Sequence, residues 1–224
     1  MHLSITVAVI FSLSILIAGI IALFRFAQIR DIYHPFIYLV WVAWINELLS
    51  VYLVVLKHQY SIINYTIYSL FEALLLLWFF KGLGSFKSKK GLFYFLIILF
   101  VSVWIIESFF ANRFSKFTYY FDILYAFCLV LLSIRTVNDL LFTEKELLKN
   151  PTFLICVGII LFFTYQVIEK MFSLYGLKES KMFRQNIQSI LMIVNLLSNL
   201  IYALAVLWMR KRQAFTLEFW SFAE

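Results

Sequence analysis

Two carboxylates in the first half of this chain sit where water is scarce. Glu47, in the run WINELLS, and Glu72, in SLFEALLLLWFF, each lie near the middle of an apolar segment long enough to cross a membrane. An ionised carboxylate at the centre of a bilayer costs roughly 2.5–3.5 kcal/mol on insertion scales, so both should turn toward a protein interior. Two of them on consecutive segments predict a shared polar interior whose chemistry is ligand or proton binding. Other polar residues extend the set. Glu107, Asp122 and Glu169 fall within about two helical turns of segment ends, Gln166 adds an amide, and the last segment contributes Asn186, Gln188, Asn195 and Asn199. By depth these residues gather in the outer half of the bundle and at its midplane. Since no Lys or Arg is expected among them, they predict an outward cavity of negative character. For Glu107, Asp122 and Glu169 the simpler expectation is solvation near the interface, or pairing with Arg113, Lys116 or Lys170. Asn195 and Asn199 are four residues apart and Gln188 lies seven before Asn195, so all three share one helix face. That face is either a ligand-facing stripe or interhelical glue worth about 0.6–2 kcal/mol per amide.

Most enzyme chemistry is removed by what the chain lacks. A zinc site needs three or four ligands within reach of one another, and the histidines are His2, His34 and His58, far apart in the expected topology. Serine chemistry needs a base beside the nucleophile; no G-x-S-x-G occurs and no histidine lies inside a segment. A retinal Schiff base needs a lysine in the last segment, and none lies between Arg184 and Lys211. Gly82-x-Gly84 lacks the spacing of a phosphate loop and reads as a flexible inner turn. No cofactor, metal or catalytic residue is expected. Cys128 and Cys156 both lie in apolar segments and read as small buried residues.

The elements that must position these residues are membrane spans. Hydrophobic residues make up 64% of the 224 and charged ones 14%, with a mean hydropathy of +0.93. Soluble domains are nearer 45–50% and 25%. Seven apolar segments emerge, at roughly 4–24, 35–56, 62–80, 92–111, 118–138, 151–172 and 186–209, each near the length of a spanning helix. The predicted fold is therefore an all-α bundle of seven transmembrane helices over 1–209, followed by a basic and aromatic tail over 210–224. Pro35 and Pro151 stand at segment starts, where a missing N–H costs nothing, and Asn150 is a plausible N-cap for the sixth segment. Aromatics such as Tyr33, Trp78, Tyr119 and Trp208 sit at segment ends, as in interfacial belts.

Lysines and arginines set the orientation. An outside N-terminus puts Arg25, Arg30, the four lysines between 81 and 90, Arg135, Lys145, Lys149, Arg210, Lys211 and Arg212 on the cytoplasmic side. Lys57, Arg113, Lys116, Lys170, Lys178, Lys181 and Arg184 remain outside. The bias favours N-out, C-in. MHLSITV lacks a basic n-region, so the first segment reads as a retained helix rather than a cleaved signal. The net charge of +7 is scattered in short loops, which suits anionic lipid and not nucleic acid.

Two cytoplasmic stretches have character of their own. Thr143-Glu144-Lys145-Glu146 fits a capping box with Thr143 as N-cap, or else a solvated turn. The tail RKRQAFTLEFWSFAE reads as a segment lying on the membrane surface, with a partner-docking face as the alternative. No cytoplasmic loop exceeds about 15 residues, too few for a catalytic domain. Output would then pass through the helices to a separate protein.

The segments WINELLS, SLFEALLLLWFF, NPTFLICVGIILFF and NLLSNLIYALAVLW resemble a group of small, uncharacterised seven-helix bacterial inner-membrane proteins often encoded beside sensor histidine kinases. The resemblance implies a multi-pass protein of the bacterial inner membrane with a membrane partner in signalling. It singles out Glu47, Glu72, Asn150, Pro151, Gly158 and Asn195 as characteristic positions and assigns none of them a role. Three functions follow as expectations. The first is a receptor-like sensor that binds a small polar or cationic ligand and signals through a partner or a homo-oligomer. The second is a proton- or cation-coupled transporter, disfavoured by an inner half almost free of polar residues. The third is a structural subunit of a membrane complex. The candidate site is Glu47, Glu72, Asn195, Asn199, Gln188, Asp122 and Glu107.

Overall fold

The structure, a computed structural model, describes residues 11, 13–57, 62–111, 118–144, 146–174 and 181–209. The tail at 210–224, His2, His58, Arg113 and Lys116, and the side chain of Gln188, lie outside the described residues. Every regular element among those described is helical: α1 (Ile15–Arg25), α2 (His34–Lys57), α3 (Ile62–Leu83), α4 (Lys90–Ile105), α5 (Tyr119–Thr143), α6 (Pro151–Leu174) and α7 (Lys181–Trp208). Short 3-10 turns join α1 to α2 and α5 to α6, and a wider π-helical turn, Ile106–Ala111, extends α4. Six of the described helices are long and apolar enough to cross a membrane, and Ile15–Gln28 forms a shorter apolar one. That is the make-up of a multi-pass membrane protein.

Local chemistry explains the helix ends. Asn150 caps α6 as its sequence predicts: its Oδ1 accepts from the backbone N–H of Thr152 at 2.9 Å and of Phe153 at 3.3 Å. Gly84, with φ of 88°, ends α3 in a Schellman motif, where Ser85 N–H donates to Phe80 O at 3.2 Å and Gly84 N–H to Lys81 O at 3.0 Å. The Gly82-x-Gly84 stretch is thus a defined helix stop rather than a flexible turn. Thr143 does not begin a helix but ends α5, its Oγ1 donating back to Asp139 O at 3.1 Å. The capping-box reading fails because α5 runs a turn beyond its apolar segment and leaves no new helix for Thr143 to start. Glu146 instead pairs with Lys149 at 3.0 Å on an exposed turn.

Consecutive helices pack on one another, α5 against α6 and α6 against α7 most extensively, and α7 returns to α1. Lipid offers no hydrophobic drive for helices to associate, so close approach must come from small residues and hydrogen bonds. On α1, Ile15, Ala18, Gly19 and Ala22 form one buried stripe at helical spacing. Trp41 on α2 donates its Nε1–H to Gly19 O at 3.4 Å. The Arg25 guanidinium binds carbonyls at the end of α7, Val206 O at 2.8 Å, Met209 O at 3.1 Å and Leu207 O between them. It ties the first described helix to the last and satisfies carbonyls that a helix end leaves open. Large aromatics such as Phe24, Phe110 and Phe142 face outward, as lipid contact permits.

Candidate functional site

The bundle has two ends: at one, the 57–62 end, α2 and α6 end (Lys57, Leu174) and α3 begins (Ile62); at the other, the 83–90 end, α3 and α5 end (Leu83, Thr143) and α4 and α6 begin (Lys90, Pro151). Glu47 lies ten residues before Lys57 on α2, and Glu72 ten residues after Ile62 on α3. At 1.5 Å per residue both stand about 15 Å in from the same end. They line one cavity of about 310 Å³ between α2, α3, α6 and α7. Asn46, Ser50, Tyr65, Tyr68, Gln166, Asn195 and Asn199 supply the rest of its polar wall, while Phe36, Leu39, Leu76 and Tyr202 close it toward the 83–90 end.

Helical spacing brings the polar wall together. Tyr65, Tyr68 and Glu72 repeat at i, i+3 and i+7 on α3, Asp122 and Tyr125 at i, i+3 on α5, and Gln166 and Lys170 at i, i+4 on α6. Tyr68 donates its hydroxyl to Glu72 Oε1 and Tyr125 donates to Oε2, both at 2.8 Å. Tyr65 donates to Asp122 Oδ2 at 2.8 Å, and Thr118 Oγ1 to Oδ1 at 3.4 Å. Gln166 Nε2 bridges the two levels, donating to the Tyr125 hydroxyl at 3.2 Å and to that of Tyr65 at 3.5 Å. A continuous hydrogen-bonded chain thus joins Glu72 to Asp122.

Several sequence expectations need correction. A base does accompany the acids, and it is Lys170, one of the three named as pairing alternatives: its Nζ lies 3.3 Å from Asp122 Oδ2 and 3.9 Å from Glu169 Oε2. It also stands over the Tyr65 ring, 4.6 Å from its centroid. Counted among the outer bases, Lys170 is nevertheless buried on the inner face of α6 near its end at Leu174. Asp122 is 0% and Glu107 6% exposed, so neither is solvated at an interface. Glu107 does not line the cavity. Its two oxygens accept the backbone N–H groups of Tyr120 at 3.1 Å and Phe121 at 2.8 Å, capping α5 from the preceding helix. Asp122 serves the buried network behind the cavity wall. Of the amides, Asn195 and Asn199 both line the cavity, and Asn199 also donates to Ser14 Oγ on the approach to α1 at 2.8 Å. Asn186 is exposed.

The opposite end is not bare either. A second cavity, of about 320 Å³, is lined by Arg30, Tyr33, Ser85, Arg135, Asp139 and Thr152 among others. It escaped notice in the sequence because Arg135 and Asp139 look like ordinary helix-end charges. Between the two cavities lies a packed layer that includes the fully buried rings of Phe36, Phe79 and Phe80. Gly158 on α6 makes room there, since a Cβ at that position would overlap the Tyr202 ring. The tyrosines that hold Glu72 were also missed, although the i, i+4 spacing of Tyr68 with it on α3 was legible.

No protein-family model, curated protein or solved structure matches this chain.

Proposed function

We propose that the chain is a receptor-like sensor: a seven-span bundle, N-terminus outside, that binds a small ligand in the α2–α3–α6–α7 cavity and signals through a membrane partner. The observation that carries this reading is that Glu47 and Glu72, on successive helices, line one cavity. The 57–62 end is then extracytoplasmic, in a bacterial inner membrane as the sequence resemblance implies. A ligand that neutralises these carboxylates changes the contacts of α2, α3 and α7 together. Arg25, bonded to the last carbonyls of α7, sits where such a change reaches the opposite face. Neither enzymatic chemistry nor a cofactor enters this reading.

Transport is the second reading, favoured by the paired cavities at opposite ends with one aromatic layer between them. Alternating access needs such a layer to open. Sidedness separates the two. With Cys128 and Cys156 replaced by serine, Ser50→Cys in sealed vesicles should react with a membrane-impermeant thiol reagent from the N-terminal side alone. Labelling from both sides would favour the transporter, and labelling only from the opposite side would overturn the receptor orientation.

A further inference from the structure

We infer that the cavity takes a small amphipathic organic cation: one ammonium group on an apolar body of about the size of a single aromatic ring. The inference deepens the receptor reading and rests on it.

The hydrogen-bond network fixes the chemistry the cavity asks for. The hydroxyl protons of Tyr65 and Tyr125 are directed at Asp122 and Glu72. Those hydroxyls can therefore take only a donor from Gln166, which must offer its NH2 group. The Gln166 carbonyl is left over. Its Oε1 is buried, without a hydrogen-bond partner, on a side chain 5% exposed that lines the cavity. A buried acceptor without a donor is rare in folded proteins and wants a partner. The cavity thus presents an unfilled carbonyl together with the carboxylates of Glu47 and Glu72. An ammonium group brings three N–H donors and a charge opposite to theirs.

Other ligand classes fit less well. Among the described residues no Lys or Arg lines the cavity, and Lys170 is held behind it between Asp122 and Glu169. An anion would meet two carboxylates in a described lining that offers no basic side chain. A hard metal ion collects six or more oxygens in a tight shell for Ca²⁺ or Mg²⁺, whereas Phe36, Val40, Leu76, Phe162 and Met192 make much of this wall apolar. Those side chains suit a hydrocarbon body, and Tyr68 and Tyr202 put aromatic rings in the same lining, the kind of group beside which a cation is favoured. The volume of about 310 Å³ matches a small ligand.

Three probes of one shape test the class: phenethylammonium, phenylacetate and 2-phenylethanol, titrated calorimetrically into the full chain in nanodiscs, with protein-free nanodiscs subtracting partition into lipid. Phenethylammonium should bind about tenfold or more tightly than either other probe, and Glu47→Gln should cut its affinity by a similar factor while changing that of 2-phenylethanol far less. Equal binding of all three, preference for phenylacetate, or no saturable phenethylammonium binding at millimolar concentration each overturns the inference. The comparison on the unsubstituted chain decides the class even if a variant fails to fold. Failure here with correct Ser50→Cys sidedness leaves the receptor reading standing and removes only the cationic ligand.

Discussion

Glu72 and Glu107 are both buried glutamates in the same half of the bundle, yet their surroundings make them different objects. Glu107 spends both oxygens on backbone N–H groups at the start of α5, groups that a helix beginning in lipid must satisfy somehow. Glu72 accepts two tyrosine hydroxyls, keeps lone pairs free and faces a cavity. Burial does not separate the two; what each oxygen meets does. A buried carboxylate whose partners are all backbone is part of the scaffold, while one held by side chains beside open space is available to a ligand.

The contrast can be broken experimentally. The strongest effect should come from the ion pair behind the cavity. Lys170→Met leaves the buried Asp122 carboxylate without its counter-charge, at about 3–5 kcal/mol; Asp122→Asn should cost less because Glu169 stays beside Lys170, and the double variant should cost far less than the sum of the two. Thermal unfolding in detergent micelles reads this, and simple additivity would mean that the pair is not coupled. Next comes Glu107→Ala, which should lose about 1.5–3 kcal/mol of stability by stripping two charge-assisted bonds from α5. Phenethylammonium affinity per folded molecule should not move; a matching loss of affinity would erase the distinction drawn between the two glutamates. Gly158→Ala should cost about 1–3 kcal/mol by overpacking and should reduce binding of all three probes, because Tyr202 is driven toward the cavity it lines. The smallest stability change belongs to Glu72→Gln, about 1 kcal/mol for a neutral acceptor in place of a charged one. Its loss of cation affinity should be the largest of the set.

How much of this was legible in advance follows from what each signal depends on. Helix positions depended on apolar length and on local stops, and Pro151, Asn150 and the two glutamates stood out accordingly. The convergence of Glu47 and Glu72 followed from one short junction between successive helices, which fixes their equal depth. What could not be read was partnership across the bundle. Tyr125, Gln166 and Lys170 meet α3 only because α5 and α6 close behind it, and one sequence carries no signal for that rotation. Lys170 falls inside the expected sixth segment as one possible partner of Asp122, but which of the three candidate bases pairs with it depends on how α5 and α6 face each other. Glu107 misled by type, since a carboxylate that caps a neighbouring helix looks the same in sequence as one that faces a ligand.

The central claim is that Glu47 and Glu72 jointly give one accessible cavity its negative character. The most direct measurement is the reaction rate of Asn195→Cys, in the cysteine-free background, with a trimethylammonium-bearing and a sulfonate-bearing methanethiosulfonate of similar size. Normalised to a free thiol, the cationic reagent should react about tenfold faster or more, and the preference should collapse when Glu47→Gln and Glu72→Gln are combined. A ratio equal to that of the free thiol, or a preference that survives both substitutions, would contradict the account.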